Sequence, residues 1–391
     1  MVQGNPGCPV CSSNSLSEFL VRRNVPVHQN LLMRDQAAAM AVPRGDLVLA
    51  ACEDCGFIWN TAFDINKIMY GADYENSQAY SPSFAEYIDE LVRHMVVECE
   101  VQNCSIVDVG CGNGLFLRKL IEYEGSGNHG YGFDPSYRGT QEDLDGRLRF
   151  ETRYYDSECA DVPADVVVCR HVIEHVPQPI LLLRDIKKGL RNAVAPRIFF
   201  ETPCVEWILR HKVVWDFFYE HCSYFTAESL TTAFQVSGYE VQQVRHVFSG
   251  QYLWLEATLA QRTKTVQRTA QTIVGKAQEF ARSEKELKSD WKQKLRVLSS
   301  KERIALWGAG AKGATFANLV DEQRELIDCV VDLNPAKQGN FVPGTGHPIV
   351  SYQDLRTRGV TAAILMNPNY REENLALLQS SHANVRLIET L

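Results

Sequence analysis

The sequence lacks any segment that would direct it into a membrane or out of the cell. Its first fifteen residues have no cationic stretch followed by an apolar one, as a signal peptide requires. No run approaches the roughly 18 apolar residues that span a bilayer, and the longest ones, such as residues 164–169, have the length of a strand. We therefore expect a cytoplasmic protein that does not insert into a membrane.

Positive charge is also scarce. The chain has 40 lysine and arginine residues against 48 acidic ones, which gives a formal net charge of −8, and no basic stripe stands out. A surface that binds nucleic acid needs such a stripe, so we expect a small-molecule substrate and no nucleic-acid or membrane partner. Because cytosolic disulfides are rare, the twelve cysteines should be reduced thiols or metal ligands.

The length and the changing pattern of the sequence indicate several domains. With 391 residues, of which 45% are hydrophobic and 23% charged, the composition is that of an ordinary globular chain and the length suggests two or three domains. The pattern divides the chain into segments 1–70, 71–260, 261–302 and 303–391. Residues 264–301 are dense in charge and free of proline, which predicts a solvated linker helix between domains.

Helical and strand patterns alternate along the second segment. Apolar residues at helical spacing predict the helices, which cover residues 83–101, 115–122, 180–191 and 227–237. Short apolar runs predict the strands, which cover residues 105–109, 130–133, 165–169, 197–200, 241–247 and 253–259. The alternation is typical of an α/β fold, with a mostly parallel sheet covered by helices on both faces. The last segment alternates in the same way.

Two C-x-x-C pairs lie in the first segment, Cys8 with Cys11 and Cys52 with Cys55. This spacing turns two sulfurs of each pair toward one point, so four thiolates can surround one Zn²⁺ and leave no position for water. We expect a structural zinc site, with a small hairpin around residues 47–51 returning the chain. Two disulfides or a redox C-x-x-C are the alternatives, but the compartment argues against the first and the absence of a βαβ context against the second.

A glycine loop follows the first predicted strand of the second segment. It reads D-V-G-C-G-N-G, in which Gly110 and Gly112 allow tight turns and a close approach of the backbone to a ligand. Asp134 ends the next strand, where a carboxylate can accept hydrogen bonds from two ribose hydroxyls. The third strand leads to Arg170 and His171 at the same end of the sheet, which is where open α/β folds bind ligands.

Two groups of polar residues near this end of the sheet can handle protons. In the first group, Tyr219 is followed by Glu220 and His221, and a histidine beside a carboxylate can be tuned toward neutral pH. The second group lies on about one helical turn and consists of His171, Glu174 and His175. A structural role is the alternative for each histidine, and their convergence on the ligand end of the sheet favours function.

The segment Y-E-N-S-Q-A-Y-S precedes the first helix of this region and is rich in polar and aromatic side chains. Tyr74, Gln78 and Tyr80 stand where they can cover a ligand pocket. The alternative is a surface loop in which Ser81 caps the helix that begins at Pro82.

A second glycine loop opens the last segment. It reads W-G-A-G-A-K-G, has the spacing G-x-G-x-x-G, and is followed after the next strand by Asp332. Alone, this pattern suggests NAD. Only about 90 residues remain, however, which is too few for a six-stranded dinucleotide fold with its own substrate domain. An anion could equally rest at the helix N-terminus, near Gly310 and assisted by Lys312.

The first glycine loop, the acidic residue after the next strand and the segment H-V-I-E-H-V-P resemble, in this order, the class I S-adenosylmethionine (SAM) methyltransferases. The resemblance implies a Rossmann-like α/β domain that binds SAM. It implies contacts of the loop with the methionine part, of Asp134 with the ribose and of Asp156 with the adenine. The predicted cofactor contacts are therefore Asp108, Gly110, Gly112, Asp134, Asp156, His171, Tyr74 and Gln78.

The whole arrangement resembles the sugar C-methyltransferases of deoxysugar biosynthesis, which supply natural products. The residues that carry this resemblance are the paired C-x-x-C motifs, Y-E-N-S-Q-A-Y-S, F-Y-E-H-C-S-Y-F-T, and W-G-A-G-A-K-G with D-L-N-P-A-K-Q-G. The family implies an N-terminal zinc-binding domain, a central SAM domain and a C-terminal Rossmann-like domain without nicotinamide. It implies methylation of a carbon beside the ketone of a nucleotide-linked 4-keto sugar, through an enolate.

The resemblance also implies roles for individual residues. His221 is the implied base and Glu220 orients it, while Tyr219, Tyr80 or His175 would stabilise the enolate oxygen. The nucleotide would lie between the central and C-terminal domains, in contact with Lys312 and Gly310.

One departure from the family pattern keeps other functions open. The family carries a tyrosine two residues before the Glu-His pair, where this sequence has Phe218. An O- or N-methyltransferase of a non-sugar metabolite, in which proximity can suffice for the reaction, is therefore the first alternative. A nicotinamide-dependent enzyme and a non-catalytic SAM-binding protein are the others.

Overall fold

The computed structural model describes residues 7–71, 73–261 and 271–390 and arranges their strands in three sheets. The first sheet contains β1 (Leu16–Pro26), β2 (Arg44–Cys52) and β3 (Ile58–Asn60), which pair antiparallel in that order. Helix α1 (Gln36–Met40) lies between β1 and β2. The predicted turn-back around residues 47–51 is confirmed, since these residues belong to β2 and pair with β1 and β3.

The central sheet has eight strands and is mostly parallel. Its members in chain order are β4 (Ser105–Val109), β5 (His129–Phe133), β6 (Glu142–Asp143), β7 (Leu148–Glu151), β8 (Val166–Arg170), β9 (Arg197–Pro203), β11 (Tyr239–Val247) and β12 (Tyr252–Leu259). Their spatial order is β11-β12-β9-β8-β4-β5-β7-β6. Only β12 and β6 run antiparallel to their neighbours. The chain order reverses at β4, and open α/β sheets bind their ligands at the carboxyl ends beside such a reversal.

Strand β10 (Ser223–Tyr224) leaves the central region and joins the first sheet. It pairs antiparallel with β3, so that the first sheet has the order β1-β2-β3-β10. The N-terminal unit is therefore completed by residues from the middle of the chain, and the predicted boundary at residue 70 does not separate two independent sheets. Residues 1–6 of that predicted domain lie outside the described residues.

Helices cover the central sheet as the periodicity predicts. They are α2 (Pro82–Arg93), α3 (Leu115–Glu122), α4 (Pro179–Gly189), α5 (Val205–Arg210) and α6 (Ala227–Ser237). Ser81 accepts a hydrogen bond from the Phe84 N–H and caps α2, whose face of Phe84, Ile88 and Leu91 is buried. The predicted helix over residues 83–101 is shorter than expected, because α2 ends at Arg93 and a π-helical turn follows over His94–Glu98.

The long helix α7 (Gln271–Ser299) follows the central sheet and is not the solvated linker that its charge density predicted. One of its faces packs against β1, β2 and the first helix of the C-terminal segment. The buried side chains recur at helical spacing and include Ile273, Ala277, Phe280, Trp291 and Leu295. Most charged residues of the helix are exposed, but Glu284 is buried among these side chains. Residues 262–270 of the predicted linker lie outside the described residues.

The C-terminal segment forms a third sheet, in which all strands are parallel. It contains β13 (Ile304–Trp307), β14 (Cys329–Val331), β15 (Ile349–Val350), β16 (Ala362–Leu365) and β17 (Arg386–Glu389), in the order β15-β14-β13-β16-β17. Helices α8 (Ala311–Val320) and α9 (Arg371–Ser380) accompany it. The chain order again reverses at the first strand, which places the second glycine loop at the ligand end of this sheet. The predicted Rossmann-like fold of this segment is confirmed.

Short 3₁₀ helices connect these elements. They cover Ile65–Lys67, Leu144–Gly146, Ser157–Asp161, Ile173–His175, Val214–Asp216, Tyr352–Leu355 and Pro368–Tyr370. None of the described helices is long and apolar enough to cross a bilayer.

Candidate active site

The four cysteines of the two C-x-x-C pairs meet at one point of the N-terminal unit. The Sγ atoms of Cys8 and Cys55 are 3.6 Å apart and those of Cys11 and Cys52 are 3.5 Å apart. All four lie within 4.8 Å of one another. Tetrahedral Zn–S bonds of about 2.3 Å require sulfur separations of about 3.8 Å. The quartet therefore fits one structural Zn²⁺, and its four thiols leave no position at which the metal could act on a substrate.

The first glycine loop and the carboxylate after the next strand are held together. The N–H of Gly112 donates to Oδ2 of Asp134 at 2.9 Å, and the N–H and hydroxyl of Ser136 donate to Oδ1 at 2.7 and 2.6 Å. The space beside Gly112 is open, because a Cβ atom placed there would contact nothing within 4 Å. A loop with open space and a fixed carboxylate fits the aminoacyl and ribose parts of SAM.

A glycine is required at position 110 because of the backbone conformation there and because of a close contact with a neighbouring segment of the chain. Gly110 has a φ of +73°, and a Cβ atom added to it would stand 2.1 Å from Cγ2 of Val172. The Cβ position of Gly110 thus faces the segment after β8, and the contact of its backbone with a ligand stays a prediction. The contact with Val172 packs the glycine loop against the segment that carries His171.

Asp108 lies beneath this loop at the end of β4 and is 3% exposed. Burial raises the pKa of its carboxyl to about 7; the Arg170 guanidinium opposes that rise and the Asp134 carboxylate adds to it. The predicted cofactor residues Asp108 and Asp134 are therefore brought together with Arg170 at the switch point of the sheet.

Asp156 has a local structural task. Its carboxylate accepts the N–H of Glu158 at 2.9 Å, which caps the helix Ser157–Asp161, and it pairs with Arg153 at 3.0 Å. Its contact with adenine stays a prediction. Sequence reasoning missed the nearby Tyr154, whose pKa is raised by partial burial and by the Asp134 carboxylate. The only signal in the sequence for an aromatic ring beside Asp134 is the pair Y-Y that precedes Asp156.

A cavity of about 250 Å³ opens between the central and C-terminal sheets. It brings together many of the predicted site residues, which are His171, His175, His221, Tyr74, Gln78, Tyr80, Gly310 and Lys312. The segment before α2 thus caps that helix and also lines a cavity, and the contact of Tyr74 and Gln78 with the cofactor stays a prediction. Asp134 and Gly112 are not among the lining residues, so the cavity is a candidate for the substrate beside the cofactor loop.

His221 stands in this cavity without a hydrogen bond to its Nδ1 atom from any described residue. Its ring lies 4.7 Å from the ring of His175 and 4.1 Å from that of Phe218. Burial lowers the pKa of His221 well below its ordinary value near 6.5, and the neighbouring His175, His171 and Lys312 lower it further. The imidazole is therefore neutral at neutral pH and can accept a proton.

Glu220 does not orient His221, and that prediction is wrong. The carboxylate is fully buried and faces the N-terminal unit, where Oε1 lies 3.0 Å from Nδ1 of His28 and Oε2 accepts the N–H of Gln29 at 2.9 Å. These two partners, and not the neighbouring imidazole, hold the carboxylate.

Tyr219 does not reach the cavity either. Its hydroxyl accepts the N–H of Asp64 at 2.8 Å, and its ring packs 5.3 Å from that of Phe63. The predicted role of Tyr219 at an enolate oxygen is therefore wrong, because the side chain is anchored in the N-terminal unit. Tyr80 stands at the rim of the cavity and is 48% exposed.

His175 is held in the cavity wall by two contacts. Its Nδ1 lies 3.0 Å from the main-chain oxygen of Glu220 and 2.9 Å from the hydroxyl of Tyr70, which sequence reasoning missed. Because a carbonyl oxygen only accepts, Nδ1 carries the proton and Nε2 of the neutral ring does not.

His171 has a φ of +54°, in the left-handed region that residues other than glycine rarely adopt. Its ring lies 4.6 Å from that of Tyr252, and its Nδ1 is 3.4 Å from Glu174. Such backbone strain is concentrated at functional sites, which agrees with the position of His171 between the glycine loop and the cavity.

The C-terminal wall of the cavity carries two lysines, Lys312 and Lys337. Lys312 pairs with Asp216 at 3.0 Å, and Gly310 caps α8 beside it. Lys337, which sequence reasoning missed within D-L-N-P-A-K, is buried and donates to the side-chain oxygen of Asn30 at 3.2 Å. Asp332 accepts the N–H of Ala309 at 2.9 Å, so this acid holds the glycine loop itself.

Comparisons with known proteins place a methyltransferase domain on this framework. Residues 79–244 match the family of methyltransferase domains, and residues 257–388 match the family of C-methyltransferase C-terminal domains. The matches coincide with the central and C-terminal sheets and confirm the predicted α/β class. Residues 79–244 are therefore similar to methyltransferase domains, and the second match argues against the nicotinamide alternative.

Two kinds of curated relative are similar to parts of the chain. The C-methyltransferase NovU of Streptomyces niveus is 24% identical over 225 residues, which are 54% of this chain and 53% of that protein. A tRNA U34 carboxymethyltransferase of Campylobacter jejuni is 32% identical over 115 residues, which are 27% of this chain and 38% of that protein. The chain thus spans about two fifths to one half of the length of these relatives.

Among solved structures, the magnesium protoporphyrin IX methyltransferase ChlM from Synechocystis PCC 6803, with bound S-adenosylhomocysteine, is 16% identical. The similarity covers 46% of this chain and 84% of that one, with a TM-score of 0.35.

Replacing one cysteine of the quartet should remove the metal and destabilise the fold. We expect the wild-type chain to bind zinc and Cys52→Ser to bind none and to unfold at a lower temperature, because binding energy at a structural site is folding energy. Zinc content by mass spectrometry and the melting temperature measure both effects. Cys104→Ser, outside the quartet, serves as the control. Full zinc content in Cys52→Ser would contradict the assignment.

Removing the charge of Asp134 should weaken SAM binding. We expect Asp134→Asn to raise the dissociation constant by about tenfold to a hundredfold, since hydrogen bonds to a charged acceptor contribute about 1.5–3 kcal/mol. Calorimetric titration with SAM measures the change. The matched control is Asp145→Asn, an exposed carboxylate in the same region. Equal affinities of the two variants would remove Asp134 from the cofactor site.

Proposed function

We propose that the protein transfers the methyl group of SAM to a carbon atom beside the ketone of a nucleotide-linked 4-keto-deoxysugar. The observation that carries this proposal is the neutral His221 in the cavity between the methyltransferase domain and the C-terminal domain. A base in its neutral form at neutral pH can remove the weakly acidic proton next to a ketone. SAM supplies an electrophilic methyl group for the resulting carbanion.

The groups around His221 fit an enolate reaction. Tyr74 lines the cavity, and burial together with the Glu220 carboxylate raises the pKa of its hydroxyl well above the ordinary value, so the hydroxyl stays protonated. Such a hydroxyl can stabilise the negative oxygen of the enolate. The side chain of Tyr219 is anchored in the N-terminal unit. We therefore assign to Tyr74 the role at the enolate oxygen that the sequence had suggested for Tyr219.

The C-terminal side of the cavity fits an anionic part of the substrate. The N-terminus of α8, the side chain of Lys312 and the buried amine of Lys337 meet there. Helix N-termini and lysines bind phosphate, and these groups would hold the nucleotide. The match of this segment to C-methyltransferase C-terminal domains and the similarity to NovU support methylation at carbon.

The same features support the remaining parts of the proposal. The three sheets support a division into a zinc-binding unit, a methyltransferase domain and a C-terminal substrate domain. Helix α7, which the sequence predicted as a linker, packs against β1, β2 and α8. The twelve cysteines form no disulfide in the described ranges, which is typical of a cytoplasmic protein. We also propose that the substrate is a small molecule, that the N-terminal unit binds zinc, and that the protein acts in deoxysugar and natural product biosynthesis.

Methyl transfer should take place at carbon and depend on His221. With isotope-labelled SAM and a panel of 4-keto nucleotide sugars, we expect a carbon-bound methyl group, detected by mass spectrometry and located by NMR. We expect His221→Gln to lower kcat by about a hundredfold to ten-thousandfold, the usual contribution of a general base.

The control for this assay is His246→Gln, an exposed histidine on β11. A labile methyl group on oxygen or nitrogen, or an active His221→Gln, would contradict C-methylation by His221 and favour the O- or N-methyltransferase alternative.

His221 should titrate below the ordinary range of histidine. Because burial disfavours the charged ring, we expect its ¹⁵N ring signals to show the neutral form down to at least pH 6.5. The NMR titration of the histidine-labelled protein measures this, and the spectrum of His221→Gln assigns the signals. A midpoint at or above pH 7 would contradict the neutral base.

A further inference from the structure

We infer that His28, in the N-terminal unit, is a positioning residue for the reaction proposed above. It fixes the buried carboxylate of Glu220 and, through Glu220, the cavity groups Tyr74 and His175. The inference rests on the proposed function as far as its kinetic consequence is concerned. The hydrogen bonds from which it starts are independent of any substrate.

The ring of His28 has one tautomer that satisfies its contacts. It is 3% exposed and lies between β1 and α1. The main-chain N–H of Met69 donates to its Nε2 at 3.1 Å. The proton of the neutral ring is therefore on Nδ1, which is 3.0 Å from Oε1 of Glu220. His28 thus donates to the carboxylate.

Glu220 depends on this donor. A carboxylate with no exposed surface costs several kcal/mol unless its oxygens accept hydrogen bonds. One oxygen of Glu220 has the imidazole of His28 and the other has the N–H of Gln29 at 2.9 Å. Two consecutive residues of the N-terminal unit therefore determine where the carboxylate lies.

Glu220 in turn acts on three groups of the cavity. Its carboxylate raises the pKa of the Tyr74 hydroxyl. Its main-chain oxygen accepts from Nδ1 of His175 at 3.0 Å. His221 follows it directly in the chain. A displaced Glu220 would therefore shift the base His221, the wall residue His175 and the surroundings of Tyr74.

Asn30, which follows His28 and Gln29 in the chain, contacts the C-terminal wall of the cavity. The side-chain oxygen of Asn30 accepts from the buried amine of Lys337 at 3.2 Å, and its main-chain oxygen accepts the N–H of Glu75 at 2.9 Å. Residues 28–30 thus contact the central domain and the C-terminal domain together. The N-terminal unit completes the active site and does more than stabilise the chain.

The kinetic test uses the full-length, zinc-loaded enzyme. We expect His28→Ala to lower kcat by about tenfold to a hundredfold, as expected for the loss of a hydrogen bond to a buried charge. KM for the keto sugar, zinc content and SAM affinity should stay close to wild type. His28→Asn, whose amide can donate in place of Nδ1, should recover most of the lost kcat. A His28→Asn variant as impaired as His28→Ala would overturn the inference.

A double-mutant comparison separates positioning from general stabilisation. In a Glu220→Gln background, His28→Ala should lower kcat by less than about twofold, because both changes interrupt the same connection. Losses that multiply would show that His28 acts independently of Glu220 and would overturn the inference.

A measurement without substrate distinguishes this inference from the proposed function. We expect the ¹⁵N spectrum of His28 to show a proton on Nδ1 in the wild-type protein and a changed Nδ1 signal in Glu220→Gln. A proton on Nε2 would overturn the inference even if methyl transfer is observed. A correct spectrum without methyl transfer to any carbon would contradict the proposed function and leave the hydrogen bond intact.

Discussion

The structure depends on burying the charge of Glu220 far from water. A carboxylate without solvent must be surrounded by donors, and the two strongest ones come from His28 and Gln29, about 190 residues earlier in the chain. Satisfying this one group therefore brings the N-terminal unit against the central domain. The strand Ser223–Tyr224, only three residues further on, then completes the first sheet by pairing with Ile58 and Trp59.

Because the N-terminal unit packs against the central domain in this way, the cysteine quartet affects the geometry of the active site. It takes no part in the chemistry. Zinc at the four thiols would hold the ends of β2 and the N-terminal knuckle, and the same small sheet carries the segment that ends at Asn30. On the other side of β1, the guanidinium of Arg22 donates to the main-chain oxygens of Val214 and Phe217 and pairs with Glu284 on α7. Folding of the N-terminal unit and geometry of the cavity are thereby linked.

Local sequence patterns predicted much of the fold, but they could not predict contacts between residues far apart in the sequence. The glycine loops and the position of Asp134 after the next strand each follow from patterns within a few residues. The partner of Glu220 could not be predicted, because no spacing rule relates residues so distant in sequence. The buried face of α7 was visible at Ile273, Ala277 and Phe280, but the density of charge between them favoured the wrong interpretation.

The central claim is that His221, in the cavity, removes a proton from a carbon atom before the methyl group is transferred to that atom. Solvent exchange tests it most directly, with S-adenosylhomocysteine in place of SAM and a 4-keto nucleotide sugar in D₂O. The account predicts that NMR will show deuterium entering the position beside the ketone, at a rate that the enzyme raises far above the buffer and that vanishes with His221→Gln. No exchange above the buffer rate, while both ligands are bound, would contradict it.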